Sequence, residues 1–348
     1  MFLMDDMISF LRDNMGSLPG DKAVVTGKGR GFEIDENNFH TLASWVSSKP
    51  IAFIDGGSSM FIQSPSLCVG FVRAVCVVMS NKKTEQVLSD EFFCVASAFS
   101  ENGKIFYRTK YFPTKNTKNI ISELKFDSLD PSLSTGQERF PLCKMIDVAR
   151  RFLEIRLAVD SVEKIKSKGI IILDGNLKAY YPGEKELLDT LYDSAGKGNV
   201  LVTGIAKTSN SITVRGDTLT AALFNSTDLE QWYYYPAYEL EDENHKAETF
   251  FVKFHKLSKY VFAVDVLKEQ AKDADIGKVL GFFAYYSKDA VFPGYPYGLI
   301  KADSLARVSN RETEILLTRF SSLDPSLFEL IRSYIYSVDA HSVLDNLS

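Results

Sequence analysis

The stretch Ile51-Ala52-Phe53-Ile54-Asp55-Gly56-Gly57-Ser58-Ser59 decides the fold. Its first four residues, apolar and mostly β-branched or aromatic, have the composition of a buried strand. Asp55 then ends the run, and Gly56-Gly57 lets the backbone turn sharply or approach a ligand closely. A carboxylate at the end of a buried strand is costly unless hydrogen-bond donors or a metal ion compensate it. Alone, the stretch also reads as a strand ending in an Asx-type turn. A second copy, Ile170-Ile171-Ile172-Leu173-Asp174-Gly175, shifts the balance. Two strands that each end in Asp-Gly place two carboxylates at one edge of a sheet.

The chain around them is long enough to bury a full core: 348 residues, 45% hydrophobic and 24% charged, with 25 Phe and 16 Tyr. A net charge of −5 and a pI of about 5.6 exclude a basic nucleic-acid coat, so any DNA contact must come from a local patch or a partner. Cys68, Cys76, Cys94 and Cys143 have no metal-binding spacing and lie in apolar runs, as buried thiols of a reducing cytoplasm do. Met1 to Phe10 is too short and acidic for a signal peptide, and no apolar run is long enough for a membrane span.

Along the chain, a helical pattern over Asp6 to Asn14 ends near Gly16. Thr26-Gly27-Lys28-Gly29-Arg30-Gly31 lacks the phosphate-loop spacing and reads as a solvated loop, with a DNA-backbone contact as the rival. Glu36 to Ser47 reads as a helix leading into the Asp55 strand. Leu67 to Met79, Glu91 to Phe99 and Lys104 to Phe112 form an antiparallel meander, and Pro113 to Gln137 a polar excursion.

Leu142 to Val159 is a helix with Ile146, Ala149, Leu153 and Leu157 as its apolar stripe and Glu154 on the flank. That position turns Glu154 either along the sheet edge or, beside Arg150 and Arg151, to water. Glu184 to Tyr192 is a second helix, and Asn199 to Ala206 a strand running into Lys207-Thr208-Ser209. Strand, helix, strand implies a parallel crossover beside the meander. Trp232 to Tyr238, Thr249 to Phe254 and Tyr260 to Val266 are further strands, with the acidic Glu239–Glu243 run as a hairpin loop. Lys253 and Lys256, beside Tyr and Phe, suit either a nucleic-acid strand or a solvated face. The last third is helical, and Ser309 with Glu312 has capping-box spacing. Ser-Leu-Asp-Pro-Ser-Leu occurs twice, at Ser128 and Ser322, as shared helix-start chemistry.

The acids fall in a definite order: Asp55 on a strand, Glu154 on a helix, Asp174 on a later strand and Asp303 on a late helix. This is the layout of ribonuclease H-like nucleases, where two divalent ions about 4 Å apart need several hard oxygen ligands. The four histidines, His40, His245, His255 and His341, have no zinc-hydrolase spacing.

The stretches IAFIDGGSSMFI, RRFLEIRLA, IIILDGNLK, NVLVTGIAKTS and FPGYPYGLIKADSLARV, in that order from about residue 50 to 310, resemble the successive motifs of the archaeal NurA nucleases. The resemblance implies an α/β, ribonuclease H-like mixed sheet flanked by helices, with helical N- and C-terminal extensions. The boundaries it implies are 1–49 for an N-terminal extension serving docking or dimerisation, 50–310 for the nuclease domain and 311–348 for the C-terminal extension. It also implies a manganese-dependent DNA exonuclease and single-strand endonuclease, with Mg²⁺ as the other candidate ion. Such an enzyme works in DNA end resection and double-strand break repair, as a homodimer docked on a HerA-type hexameric translocase.

By motif, Asp55, Glu154 and Asp174 match the metal-binding acids, and Lys207 a lysine segment that holds phosphate. Asp303 stands where the family usually has a His, which brings the set nearer to four carboxylates. Met1, Phe2, Leu3, Met4 and Met7 are the expected docking surface. Two rivals remain: an actin-like ATPase or kinase, with Asp55-Gly56-Gly57-Ser58 as its phosphate loop, and a non-catalytic adaptor on the same scaffold.

Overall fold

The computed structural model describes residues 2–14, 21–25, 27–118, 121–131, 133, 138–165 and 168–336. In chain order the elements begin with α1 (Phe2–Asn14), β1 (Gly29–Gly31) and β2 (Phe39–Thr41). Then come β3 (Ile51–Gln63), β4 (Leu67–Ser80), β5 (Lys83–Glu101), β6 (Lys104–Pro113) and β7 (Lys125–Asp127). Next are α2 (Lys144–Val162), β8 (Ile170–Asp174), α3 (Glu184–Gly198), β9 (Leu201–Ala206) and α4 (Leu219–Asn225). They are followed by β10 (Trp232–Tyr234), β11 (Tyr238–Leu240), β12 (Ala247–Lys253) and β13 (Phe262–Leu267). The chain continues with α5 (Lys268–Ala271), α6 (Ile276–Tyr286), α7 (Tyr297–Ala306), α8 (Asn310–Leu323) and α9 (Pro325–Tyr336). From β3 on, five consecutive strands are followed by α2, β8, α3 and β9, the meander and then strand–helix–strand order expected from the sequence. The residues divide into two units. The first comprises Met1–Lys49, Ile172–Lys178 and Leu201–Ile300, the second Pro50–Ile171, Ala179–Val200 and Lys301–Ser348.

In the second unit, β3 to β7 form an antiparallel meander in which each strand pairs with the next. The β4–β5 hairpin closes through Asn81 and Lys82, with φ of 50° and 61°. Both central residues are left-handed, as a tight hairpin turn requires. The start of β5, Thr84-Glu85-Gln86, is exposed and polar, so the sequence reading starts that strand too late.

The expected break at Gly56-Gly57 does not occur. β3 runs unbroken from Ile51 to Gln63, with Asp55 opposite Val75, Gly56 opposite Ala74 and Gly57 opposite Arg73. These glycines serve close approach instead: a Cβ at Gly57 would collide with the Ala306 carbonyl, and one at Gly56 with the side chains of Glu154 and Arg150. An uninterrupted strand offers no phosphate loop, which removes the footing of the actin-like reading.

α2 packs on β3, β4 and β5, and α3 packs on α2. Covered on two sides, α2 buries Met145, Val148, Phe152, Glu154, Ile155 and Ala158 beyond the single stripe expected. α8 lies against β3, where the Ser59 and Thr313 hydroxyls are 2.6 Å apart, and Ile331 of α9 joins Ile62 and Val69 in a small apolar cluster. Cys68, Cys76 and Cys94 are buried thiols and Cys143 is half-buried. Burial pushes Cys68 up to about 11 and Cys76 to about 12, so neither is a nucleophile near neutral pH.

In the first unit the strands run β2, β10, β12, β13, β9, each antiparallel to its neighbour. Residues just after β8 follow β9, the Gly175 amide donating to the Ile205 carbonyl at 2.9 Å. Trp232, Tyr234, Phe251, Leu219 and Leu223 centre its core. Two expectations change here. Glu36 to Ser47 is not a helix but a short 3₁₀ turn at Glu36–Asn38 followed by β2. Aromatic pairing wins over the helical pattern: Phe39 packs edge-on against Trp232 and Tyr234, and His40 stacks on Tyr233. Nor is the glycine-rich stretch only a loop, since β1 pairs with β11 in a two-stranded ribbon that includes the start of the acidic run. Gly16 and Thr26 lie outside the described residues. Among the described residues no helix is long and apolar enough to cross a membrane.

Candidate active site

Asp55 is buried, 5% exposed, on the β3 face opposite the one that Gly56 and Ser58 turn to α2. Its Oδ1 accepts the Gly56 amide at 2.7 Å. The Gly56 carbonyl in turn accepts from Arg150 Nη1 at 3.4 Å, and the same guanidinium nitrogen bonds Glu154 Oε1. Glu154 is thus inside, 2% exposed, and not on a wet flank. Arg151 Nη1 stands 3.8 Å from its other oxygen and Arg151 Nε donates to Glu184 Oε1 at 2.9 Å. Burial alone would lower the Arg151 pKa, but the Glu184 and Glu154 charges carry it above its ordinary value. Glu184 is fully buried and also accepts the Tyr180 and Tyr181 amides at 2.8 and 3.1 Å, closing the turn before α3. A buried carboxylate with an Arg and two amides is fully compensated, which marks Glu184 as structural. Ser58 donates to Asp147 at 3.0 Å, about two turns before Glu154 on α2.

Asp303, on α7, is half-exposed and accepts from Arg307 at 2.6 Å across one helical turn. The end of that helix lies on Gly57, so Asp55, Glu154 and the α7 end surround one glycine pair.

In the first unit Asp174 ends β8, and here the Asp-Gly pair does break the strand, Gly175 having φ +109°. Asp174 Oδ2 meets Lys207 Nζ at 2.5 Å, and that ammonium also stands 5.3 Å from the centre of the Tyr295 ring. A Cβ at Gly204 would collide with the Gly175 carbonyl, so β9 requires glycine at this crossing.

Sequence reasoning passed over Asp265. It is 2% exposed, in mid-β13, and collects the Leu177 amide at 2.9 Å, Thr249 Oγ1 at 2.7 Å and His245 Nε2 at 2.8 Å. The amide bond pins the turn that follows Asp174. The signal was an Asp inside the apolar run Phe262-Ala263-Val264-Asp265-Val266, the same signature that singled out Asp55.

The structure therefore sets Asp55 and Glu154 on either side of the Gly56 backbone in the second unit, and pairs Asp174 with Lys207 in the first. Among the described residues, no group of three or more His, Cys, Asp or Glu gathers into a metal-binding cluster.

The sequence matches the NurA domain over residues 49–308. The chain belongs to the NurA domain family. All five residues singled out by motif, Asp55, Glu154, Asp174, Lys207 and Asp303, lie within that match, and membership supports a nuclease. No curated protein matches the sequence. The NurA chain is similar in structure to the catalytic domain of human endonuclease V, with a TM-score of 0.39 and 11% identity over 77% of this chain and 88% of that one. It is also similar to Ciona intestinalis endonuclease V in complex with a 24mer DNA containing an inosine followed by a ribo-adenosine, with a TM-score of 0.37 and 14% identity over 76% and 90%. For A. aeolicus Argonaute the TM-score is 0.37 and the identity 9%, over 76% of this chain but only 29% of that one. Mixed α/β architecture with helices flanking the strands is the fold class expected from the sequence.

Proposed function

We propose that this NurA-domain protein is a metal-dependent DNA nuclease of ribonuclease H-like type, cleaving single strands internally and both single- and double-stranded DNA from ends. The observation that carries this reading is the family match over residues 49–308, which takes in Asp55, Glu154, Asp174, Lys207 and Asp303 together.

The donor chemistry fits the ion. Asp55, Glu154, Asp174 and Asp303 offer carboxylate oxygens, the hard donors that Mn²⁺ and Mg²⁺ take. Glu154, Asp174 and Asp303 each already meet a cation, in Arg150, Lys207 and Arg307, so these positions hold charge that needs neutralising. A bound divalent ion supplies Lewis-acid stabilisation of the charge that develops on the phosphate. Lys207, held between Asp174 and the Tyr295 ring, would fix a phosphate oxygen. Arg150, bonded to both the Gly56 carbonyl and Glu154, sets the orientation of the Glu154 carboxylate.

The same reading includes the homodimer and the HerA-type hexameric translocase of end resection and double-strand break repair in the cytoplasm. α1 supports a docking role: Met4, Met7, Ile8, Phe10 and Leu11 are all exposed on it. Deleting residues 1–7 is expected to abolish co-elution with such a translocase, and unchanged co-elution removes α1 from the interface.

The deciding experiment incubates the purified protein with end-labelled single- and double-stranded DNA in Mn²⁺, Mg²⁺ or EDTA. Metal-dependent cleavage is expected. Absence of cleavage in either metal favours the non-catalytic adaptor.

A further inference from the structure

Two loops of the first unit build a cationic and aromatic surface outside the acids. One, residues 255–260, follows β12, and the other, residues 287–296, follows α6. They are locked together at Gly294, where a Cβ would fall 2.6 Å from the Ser258 Cβ and where φ is +98°. The Ser258 amide donates to the His255 carbonyl at 2.9 Å, and the Gly294 amide to the Ser287 carbonyl at 2.9 Å. Ser258 Oγ holds the Tyr260 backbone through its amide and carbonyl, each at 3.1 Å. Asp289, the acid of the second loop, is spent on the Val291 and Phe292 amides at 2.9 and 3.1 Å. This is a built surface and not a pair of loose loops.

Lys256, Lys259 and Lys288 are exposed on it, and none of them forms an ion pair among the described residues. Their field is felt locally, because burial and then the Lys288 and Lys256 charges hold the His255 pKa below its usual value. Among them Tyr260 is 54% exposed. Its ring leads inward, 5.4 Å from the Phe292 ring, which is 5.7 Å from the Tyr295 ring. Tyr295 is the ring beneath Lys207, the partner of Asp174. A row of aromatic groups therefore begins in solvent at Tyr260 and runs inward through Phe292 to the buried Tyr295 beneath Lys207.

In a chain of net charge −5, three unneutralised lysines around an exposed ring call for a polyanion with flat apolar faces. A nucleic-acid strand has both, and base stacking on aromatic side chains requires that the bases be unpaired. We propose that Lys256, Lys259, Tyr260, Lys288 and Phe292 form a track that binds a single DNA strand and leads it toward Asp174 and Lys207. The direction of the track rests on the nuclease reading; the binding itself does not.

The test is fluorescence anisotropy of a labelled oligothymidylate with the full chain in EDTA, so that binding is read whether or not the protein cleaves. Tyr260→Ala is expected to weaken binding about tenfold through lost stacking. Tyr260→Phe, which keeps the ring, is expected to bind like the unsubstituted protein. Replacing Lys256, Lys259 and Lys288 together by Gln is expected to flatten the salt dependence by about two in log–log slope, as the loss of three single-strand phosphate contacts would. All four positions are exposed, so thermal midpoints should not change. The proposal is overturned if the unsubstituted protein does not bind, if Tyr260→Ala binds normally, or if Tyr260→Phe loses as much as Tyr260→Ala. It is also overturned if Tyr260→Ala weakens duplex binding equally. A protein that binds through this track yet cleaves nothing in metal refutes the nuclease reading alone.

Discussion

Gly56 lies directly against Glu154: a methyl group at Gly56 would come 2.9 Å from the Glu154 Cγ and as near to the Arg150 Cγ. No real Cβ tolerates that approach, so Gly56→Ala must push Glu154 and Arg150 aside. Overpacking of this kind costs about 1–3 kcal/mol, visible as a lower urea midpoint. Cleavage should fall further than stability, because the displaced group is a candidate ligand. Full activity in Gly56→Ala would separate Glu154 from the chemistry.

Asp55→Ala and Asp174→Ala are each expected to abolish cleavage in a protein whose circular dichroism is unchanged. On the proposed reading each is a metal ligand, and loss of one ligand costs several kcal/mol at the transition state, roughly a thousandfold or more in rate. In Asp174→Ala, Lys207, 43% exposed, still has the Tyr295 ring, so little stability should be lost. Wild-type rates in either variant would sink the assignment.

How far the sequence could be read depended on whether a residue's neighbours are local. Burial of Asp55 followed from an apolar run, a local pattern, whereas the helical stripe left Glu154 open between the sheet edge and water. The role of Gly56-Gly57 did not follow from any local pattern, because what forbids a side chain there is Glu154, about a hundred residues on, and the carbonyl of Ala306. Phe39 and His40 carried a helical pattern and became a strand because Trp232, Tyr233 and Tyr234 pair with them. The repeated hexapeptide divides in the same way. At the second copy Asp324 caps α9 through the Leu327 amide at 2.9 Å, whereas at the first Ser128 is buried and Leu133 closes a turn on Asp130. Ser309 caps α8 as its spacing predicts, but Glu312 does not reach back to complete the capping box; it bonds Arg73 instead.

That Arg73 contact gives a pH prediction. Arg73 lies between Glu91 at 2.9 Å and Glu312 at 2.7 Å, tying β4 to β5 and α8. Burial by itself would raise the Glu91 pKa, but Arg73, Asn116 and Thr114 together hold it below the ordinary carboxylate value. A depressed acid contributes its full stability above the unfolded pKa of about 4.3 and loses it as pH falls through the folded value. Glu91→Gln should therefore lower the urea midpoint at pH 7, with the difference from wild type shrinking as the pH falls below 4. A constant difference across that range would mean that the Glu91 charge contributes nothing.

By motif resemblance Asp303 stands where the family usually has a His, and its surroundings set what such a departure would imply. Its carboxylate is 36% exposed and accepts from Arg307 at 2.6 Å, so it reaches both solvent and a cation. If it is a ligand, Asp303→Asn weakens ion binding and moves the metal dependence of cleavage to higher concentration. Asp303→His restores the commoner side chain and keeps substantial activity, because imidazole ligates Mn²⁺ and also protonates a leaving oxygen. Arg307→Ala adds an arm that separates the roles. Removing the competing guanidinium should tighten metal binding if Asp303 is a ligand, while a surface ion pair alone contributes about 0–1 kcal/mol to stability and nothing to rate. A manganese titration of cleavage by the three variants decides it: half-saturation and rates identical to wild type in all of them would take Asp303 out of the site.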